Sequence, residues 1–151
     1  MDYGAAHETV LRHMAELANA EMPGHPDLKP PEGPELEPEY RGVFVVAYIN
    51  GQPAASGGYR TFPGDPTAET AEFVRMYVRP GARRSGVGRA LLAELEELAR
   101  EDDYRYALLE VGAEQRGAQA LYEIRGYRRI PNEGDKAGRH TYLKVLPTDD
   151  G

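Results

Sequence analysis

The chain of 151 residues carries 25 acidic and 18 basic side chains, a formal net charge of −7, and no cysteine. That length suits one domain with a real core. The lack of cysteine excludes disulfides, cysteine-based metal sites and thiol nucleophiles, and it fits a cytoplasmic setting. An acidic balance argues against a general nucleic-acid binder.

No run of about twenty apolar residues is present and no apolar signal core follows Met1, so no membrane span or export signal is expected. His7, His13, His25 and His140 show no metal-ligand spacing, and no metal is expected. The charge is uneven. Residues 1–40 hold nine carboxylates against Arg12 and Lys29, which accounts for the whole net charge, while residues 41–151 balance to zero. An acidic segment of this kind serves either as a solvated surface or as an attractor for a cationic amine.

In chain order, residues 5–22 form an amphipathic helix with Val10, His13, Met14, Leu17 and Ala18 on one side. Six prolines between residues 23 and 39 predict an extended segment, either a cover for an acceptor site or an ordinary connector. Residues 42–49 and 52–61 form a hairpin around Asn50-Gly51, a type I′ turn signal. A turn-rich connection over 62–70 leads to a strand over 72–78, rich in β-formers and stopped by Pro80-Gly81. Val87, Leu91, Leu95 and Leu98 recur at helical spacing and predict a helix over 86–100. A strand over 106–111, a helix over 114–125 and strands near 127–131 and 139–146 complete an α/β (α+β) order, with Gly126 at the C′ position of the second helix.

The junction between the 72–78 strand and the next helix is chemically distinctive. Residues 75–89 hold Arg75, Arg79, Arg83, Arg84 and Arg89 and no acidic residue. The first turn of a helix has free N–H groups and the positive end of the macrodipole, and Gly86 and Gly88 keep side chains away from that backbone. The pattern suits a phosphorylated ligand. It is not a nucleotide P-loop, since no Lys follows either glycine, and it is not a dinucleotide fingerprint, since position 91 is Leu.

Arg83-x-x-Gly86-x-Gly88 directly after a strand resembles the acetyl-coenzyme A signature of the GNAT N-acetyltransferase superfamily. A second segment, Ala118-Gln119-Ala120-Leu121-Tyr122-Glu123-Ile124-Arg125-Gly126-Tyr127, resembles the family's later A-x-x-[L/F]-Y-E-x-x-G-[F/Y] element, at a separation that leaves room for one helix and one strand. The resemblance covers residues 43–146 and is similar to a bacterial subgroup of small members. It implies a single domain over 1–151, with an acidic helix and proline-rich segment over 1–40. The core is then a mixed, mostly antiparallel twisted sheet of six or seven strands flanked by helices. The family usually opens with a strand before the first helix, and residues 1–4 are too few for a convincing one.

The resemblance further implies an acetyl-CoA-dependent N-acetyltransferase that transfers directly to a primary amine of a small molecule, peptide or protein. The alternatives are a non-catalytic acyl-CoA-binding or sensor domain, or a partner-binding domain using the acidic N-terminal segment. Cofactor contacts are implied for Met76, Tyr77 and Val78 against pantetheine, for Arg83, Arg84, Ser85, Gly86, Val87, Gly88 and Arg89 against pyrophosphate, and for Gln115 and Ala118. Gln115 departs from the Asn common at this place and is a poorer cap. Ser85 and Arg84 depart from the commonest filling of the turn, with Ser85 still offering a hydroxyl and an N–H.

Tyr122 matches the family tyrosine near the cofactor's sulfur and is the candidate acid, its other role being a core tyrosine. The resemblance implies a base at Glu72, eleven positions before Arg83, where some family members carry a glutamate; its other role is a salt-bridge or strand-end carboxylate. By strict alternation it shares a face with Val74, Met76 and Val78. Glu110 is a second candidate, with Leu109 and Val111 on the buried face. A main-chain N–H within 76–78 would stabilise the oxyanion. Exposed edge strands after residue 126 suit a homodimer.

Overall fold

The computed structural model describes residues 2–3 and 43–147; the expected helix over 5–22 and the proline-rich segment over 23–39 lie outside the described residues. Seven strands form one sheet: β1 (Asp2–Tyr3), β2 (Val43–Ile49), β3 (Gln52–Thr61), β4 (Thr70–Val78), β5 (Tyr106–Gly112), β6 (Arg128–Ile130) and β7 (Arg139–Val145). Their order across the sheet is β1-β2-β3-β4-β5-β7-β6, with β4 and β5 parallel and all other neighbours antiparallel. Two α-helices are described, α1 (Val87–Glu101) and α2 (Arg116–Ile124). The expected mixed, mostly antiparallel sheet is present.

Short as it is, the opening strand is present: Asp2 and Tyr3 pair with Tyr48 and Ala47 of β2. Two residues suffice because an existing strand edge supplies the template, a source of order that local propensity does not register.

Elsewhere the elements follow their local chemistry. Asn50 and Gly51 both take positive φ (52° and 78°), as a type I′ hairpin requires. In the 62–70 connection, Asp65 accepts hydrogen bonds from the N–H groups of Thr67 and Glu69 and from the Thr70 hydroxyl. A bond from the Thr67 hydroxyl foremost, and then these, hold its carboxyl down at about 2. Helix α1 buries Val87, Leu91, Leu92, Leu95 and Ala99 against one sheet face, where Val45, Ala55, Tyr59, Phe73 and Leu109 meet them. Phe44 and Val46 alternate onto the opposite face and cluster there with Tyr48 and Val74.

Two irregularities position the site. Ser56 lies opposite Tyr77 and Gly58 opposite Val74, so Arg75 and Met76 together face the single residue Gly57: a β-bulge in β4. A Cβ on Gly57 would lie 2.3 Å from the Met76 sulfur, so the missing side chain admits Met76 at the bulge. The second irregularity is a splay. The parallel ladder between β4 and β5 runs only from Thr70↔Tyr106 to Phe73↔Leu109, although both strands continue beyond it.

Candidate functional site

Where β4 and β5 separate, a cleft of about 300 Å³ opens. Phe73, Val74 and Met76 line it from β4, Leu109, Glu110 and Val111 from β5, and Gln115, Ala118 and Tyr122 from α2 and its approach. Arg60 and Arg139 complete it from β3 and β7. Because the gap lies within the sheet, its lining comes from both faces. Ala118 and Tyr122 belong to the helix-covered core, whereas Glu72 alternates with Phe73, and Glu110 with Leu109 and Val111, onto the other face.

The sequence expectation that Glu72 shares a face with Val74, Met76 and Val78 holds only for Val74. Val74 packs with Phe44 and Val46, while Met76 and Val78 pack against the main core. The extra residue of the bulge at 75–76 reverses the alternation, which a period-two reading of β4 cannot anticipate. The bulge thus leaves Glu72 on one side of the sheet and Met76 and Val78 on the other.

Glu72 forms an ion pair with Arg60, its register partner on β3, at 2.9–3.0 Å through Nη2 and Nε. Both side chains are largely shielded, 16% exposed for Glu72 and 26% for Arg60. Glu110 faces Arg139 at 3.9 Å in a more open pair, with side-chain exposures of 46% and 42%. Its neighbours Leu109 and Val111 are buried, as alternation predicts. Arg60 and Arg139 were not singled out from sequence. Arg60 needed the β3–β4 register and Arg139 the β5–β7 pairing, neither of which a local pattern carries.

Tyr122 is 6% exposed, and burial pushes its phenol up to about 12. Helix α2 ends in a Schellman motif directly beneath it. The Tyr127 N–H donates to the Tyr122 carbonyl (3.0 Å) and the Gly126 N–H to the Glu123 carbonyl (3.1 Å), with Gly126 at φ 95°. The expected C′ role of Gly126 is therefore present. The rings of Tyr127 and Tyr142 flank Tyr122 at centroid distances of 5.9 and 6.2 Å. Each flanking tyrosine is anchored by a carboxylate: Tyr127 donates to Glu96 (2.9 Å) and Tyr142 to Glu123 (3.2 Å).

At the far end of β4 lies the arginine- and glycine-bearing turn. Gly86 caps α1 at φ 87°, a left-handed conformation that glycine adopts without cost, and Arg84 takes φ 66°. Gly88 does a different job: a Cβ there would stand 3.1 Å from Val78 Cγ2, so its absence lets the helix start close to β4. Val87 is a core residue, and its N–H donates to Ser85 Oγ (3.3 Å). The Ser85 hydroxyl in turn donates to the Ala82 carbonyl, so it closes the loop on itself. The first i→i−4 bond of α1 is Ala90 N–H to Gly86 carbonyl, which leaves the N–H groups of Gly88 and Arg89 ahead of the helical ladder. Arg83, Arg84 and Arg89 are exposed around this turn, with Arg83 Nε donating to the Val78 carbonyl (3.1 Å).

Gln115 occupies the N-cap position of α2 without a capping bond from its side chain; its Oε1 accepts instead from the Gly112 N–H (3.0 Å). It holds the end of β5 and borders the cleft. Tyr77 is buried. Among the described residues no group of three His, Cys, Asp or Glu side chains is arranged to hold a metal ion, and no helix is long and apolar enough to cross a membrane.

The family model for the acetyltransferase (GNAT) family matches residues 11–127, well over half of the chain. The chain belongs to the GNAT acetyltransferase family. An "IAA acetyltransferase" of Azospirillum brasilense is 31% identical over 120 residues, covering 80% of this chain and 72% of that protein. Among solved structures, a ribosomal-protein-alanine N-acetyltransferase from Brucella melitensis shares this GNAT fold with a TM-score of 0.76. It is 24% identical, and the match covers 97% of this chain and all of that one. PaiA N-acetyltransferase from Thermoplasma acidophilum, solved in complex with coenzyme A, has a TM-score of 0.60 at 17% identity over 69% of this chain and 60% of its own. In this GNAT chain the glycine turn heads α1 beside the end of β4, and the segment around Tyr122 forms α2 against the cleft.

Proposed function

We propose that this GNAT domain is an acetyl-CoA-dependent N-acetyltransferase that passes the acetyl group directly to a primary amine. The observation that carries the reading is the splay of β4 from β5 beyond Phe73 and Leu109, with an anion-suited helix start at one end and Tyr122 bordering the gap. The residues present fit the cofactor. Gly86 and the N–H groups of Gly88 and Arg89 suit the pyrophosphate, with Arg83, Arg84 and Arg89 around them. The β4 edge at Met76, Tyr77 and Val78, beyond the reach of the β5 ladder, suits the amide-bearing pantetheine arm. Ala118 and Gln115 border the same gap.

Acetyl-CoA, when bound, supplies an activated acetyl thioester. Around it the chain's own groups divide the proton work. Glu72 takes a proton from the acceptor ammonium, directly or through water, and Glu110 stands in reserve on the same face. Tyr122 keeps its hydroxyl proton throughout the working pH range, because burial holds its phenol near 12, and offers it on the side of the departing thiol. A main-chain N–H of the 76–78 segment serves the developing oxyanion. No covalent intermediate with the protein is needed, in keeping with a chain that has no cysteine. We place the enzyme in the cytoplasm, with a homodimer through the β6 edge as its assembly.

Calorimetric titration of acetyl-CoA into the wild type and into Arg83→Ala/Arg84→Ala tests the cofactor site. The wild type binds, and the variant, altered only at exposed side chains, loses at least about tenfold in affinity through lost charge-assisted contacts. A folded wild type that does not bind acetyl-CoA overturns the proposal. Binding without thiol release across a broad amine panel would leave an acyl-CoA-binding domain instead.

A further inference from the structure

We propose that the acceptor is a small molecule of amino-acid type, carrying a primary amine and a carboxylate together; this rests on the acetyltransferase reading above. The face of the cleft opposite α2 is lined by two carboxylates and two guanidiniums, Glu72 with Arg60 and Glu110 with Arg139. Register puts all four on that face, since Glu72 lies across from Leu108, two positions along β5 from Glu110. Arg60 lies directly across from Glu72, and Glu110 lies across from Thr141, two positions along β7 from Arg139.

This lining is neutral in sum and alternates in sign. A simple cationic amine would gain a carboxylate but meet two arginines, and a simple acid would meet the reverse. A zwitterion exchanges ion pairs on both sides: its ammonium takes the place of a guanidinium at a glutamate, and its carboxylate takes a planar, bidentate arginine partner. No buried charge is then left without a counter-ion. The arrangement also suits the chemistry. The acceptor amine must become neutral to react, and its carboxylate stays anchored on an arginine after Glu72 has taken that proton. As the N–C bond forms and the C–S bond breaks, the ammonium gives up two protons, one ending on the departing thiol and one in solvent by way of Glu72. The volume agrees: a cleft of about 300 Å³ is at the small end of ligand pockets, about 300–1,000 Å³.

The test is thiol release from acetyl-CoA with the protein amino acids other than cysteine, each beside its α-carboxamide, together with simple alkylamines and a short peptide. The enzyme contributes no thiol background, having no cysteine. Calorimetric titration of the best acid and its carboxamide into enzyme saturated with free coenzyme A gives a readout independent of turnover. At least one acid should exceed its carboxamide by at least about tenfold in kcat/KM and in affinity, and Arg60→Gln or Arg139→Gln should remove that preference through KM. Carboxamides, alkylamines or the peptide serving as well as the acids would overturn this inference while leaving acetyl transfer intact. Acetyl-CoA binding without turnover of any acid would overturn it too. Failure to bind acetyl-CoA would instead remove the acetyltransferase reading beneath it.

Discussion

Tyr122 is held from several directions at once: its carbonyl by the Tyr127 N–H, and its ring between Tyr127 and Tyr142, whose hydroxyls end on Glu96 and Glu123. A group so confined suits a task that depends on placement more than on acidity, since its phenol lies well above the usual range. Tyr122→Phe should therefore lower kcat by about 10²- to 10⁴-fold, leave acetyl-CoA affinity nearly unchanged by calorimetry, and retain the fold by circular dichroism. Because the phenol titrates near 12, the wild-type kcat–pH profile should show no Tyr122 deprotonation limb below pH 10. The Tyr122 candidate was legible in sequence because a motif surrounds it. Its supports were not: Glu96 reads as a polar interruption of a helix stripe until the strand order brings Tyr127 and Lys144 against it.

At the scale of elements, the site is the product of what β4 does after Phe73. The bulge at 75–76 turns Met76 and Val78 into the core and leaves Glu72 with Arg60, and the end of the parallel ladder opens the gap. Helix α2 then borders the gap, ended by the Schellman turn at Gly126. A Cβ at Gly126 would meet only Lys144 Cε at 3.7 Å, ordinary contact, so substitution there tests conformation without a clash. Gly126→Ala should cost about 1–2 kcal/mol by urea denaturation, the penalty for a left-handed L-residue. It should also lower kcat by loosening the ring of Tyr122. A stability loss with kcat untouched would separate the turn from the chemistry.

Across the whole molecule, one buried carboxylate joins the helices to the distal sheet. Glu96 of α1 accepts from Arg125 after α2, from Tyr127 before β6 and from Lys144 of β7, while the Lys144 ammonium stands 5.6 Å from the Tyr127 ring centroid. Removing the shared acceptor strands two cations, and Glu96→Ala should cost about 3–5 kcal/mol, read from the urea midpoint at pH 7. The same core sets an alkaline limit. Burial pushes the Tyr127 phenol far up, with Glu96 adding to it, and raises that of Tyr122. The native state keeps protons that the unfolded chain releases above about pH 10. Native stability is thus fully present below pH 10 and should fall as pH rises beyond it, with a shallower fall in Tyr127→Phe when midpoints at pH 9 and 11 are compared.

The amino-acid sequence by itself determined the β2–β3 hairpin, the strands and helices from residue 70 onward, and the anion-suited turn. Hairpin chemistry at Asn50-Gly51, apolar periodicity from Val87 to Leu98, and the glycines at 86 and 126 are local constraints, each written within a few residues. Tertiary structure alone decided the first strand, which two residues form only on the edge of β2, and the reversal of faces in β4, which depends on a bulge against Gly57. It also decided the pairing of Arg60 with Glu72 and of Arg139 with Glu110. Those features arise from contacts between residues distant in the chain, and no local pattern encodes which strands meet, in what register, or where a ladder stops.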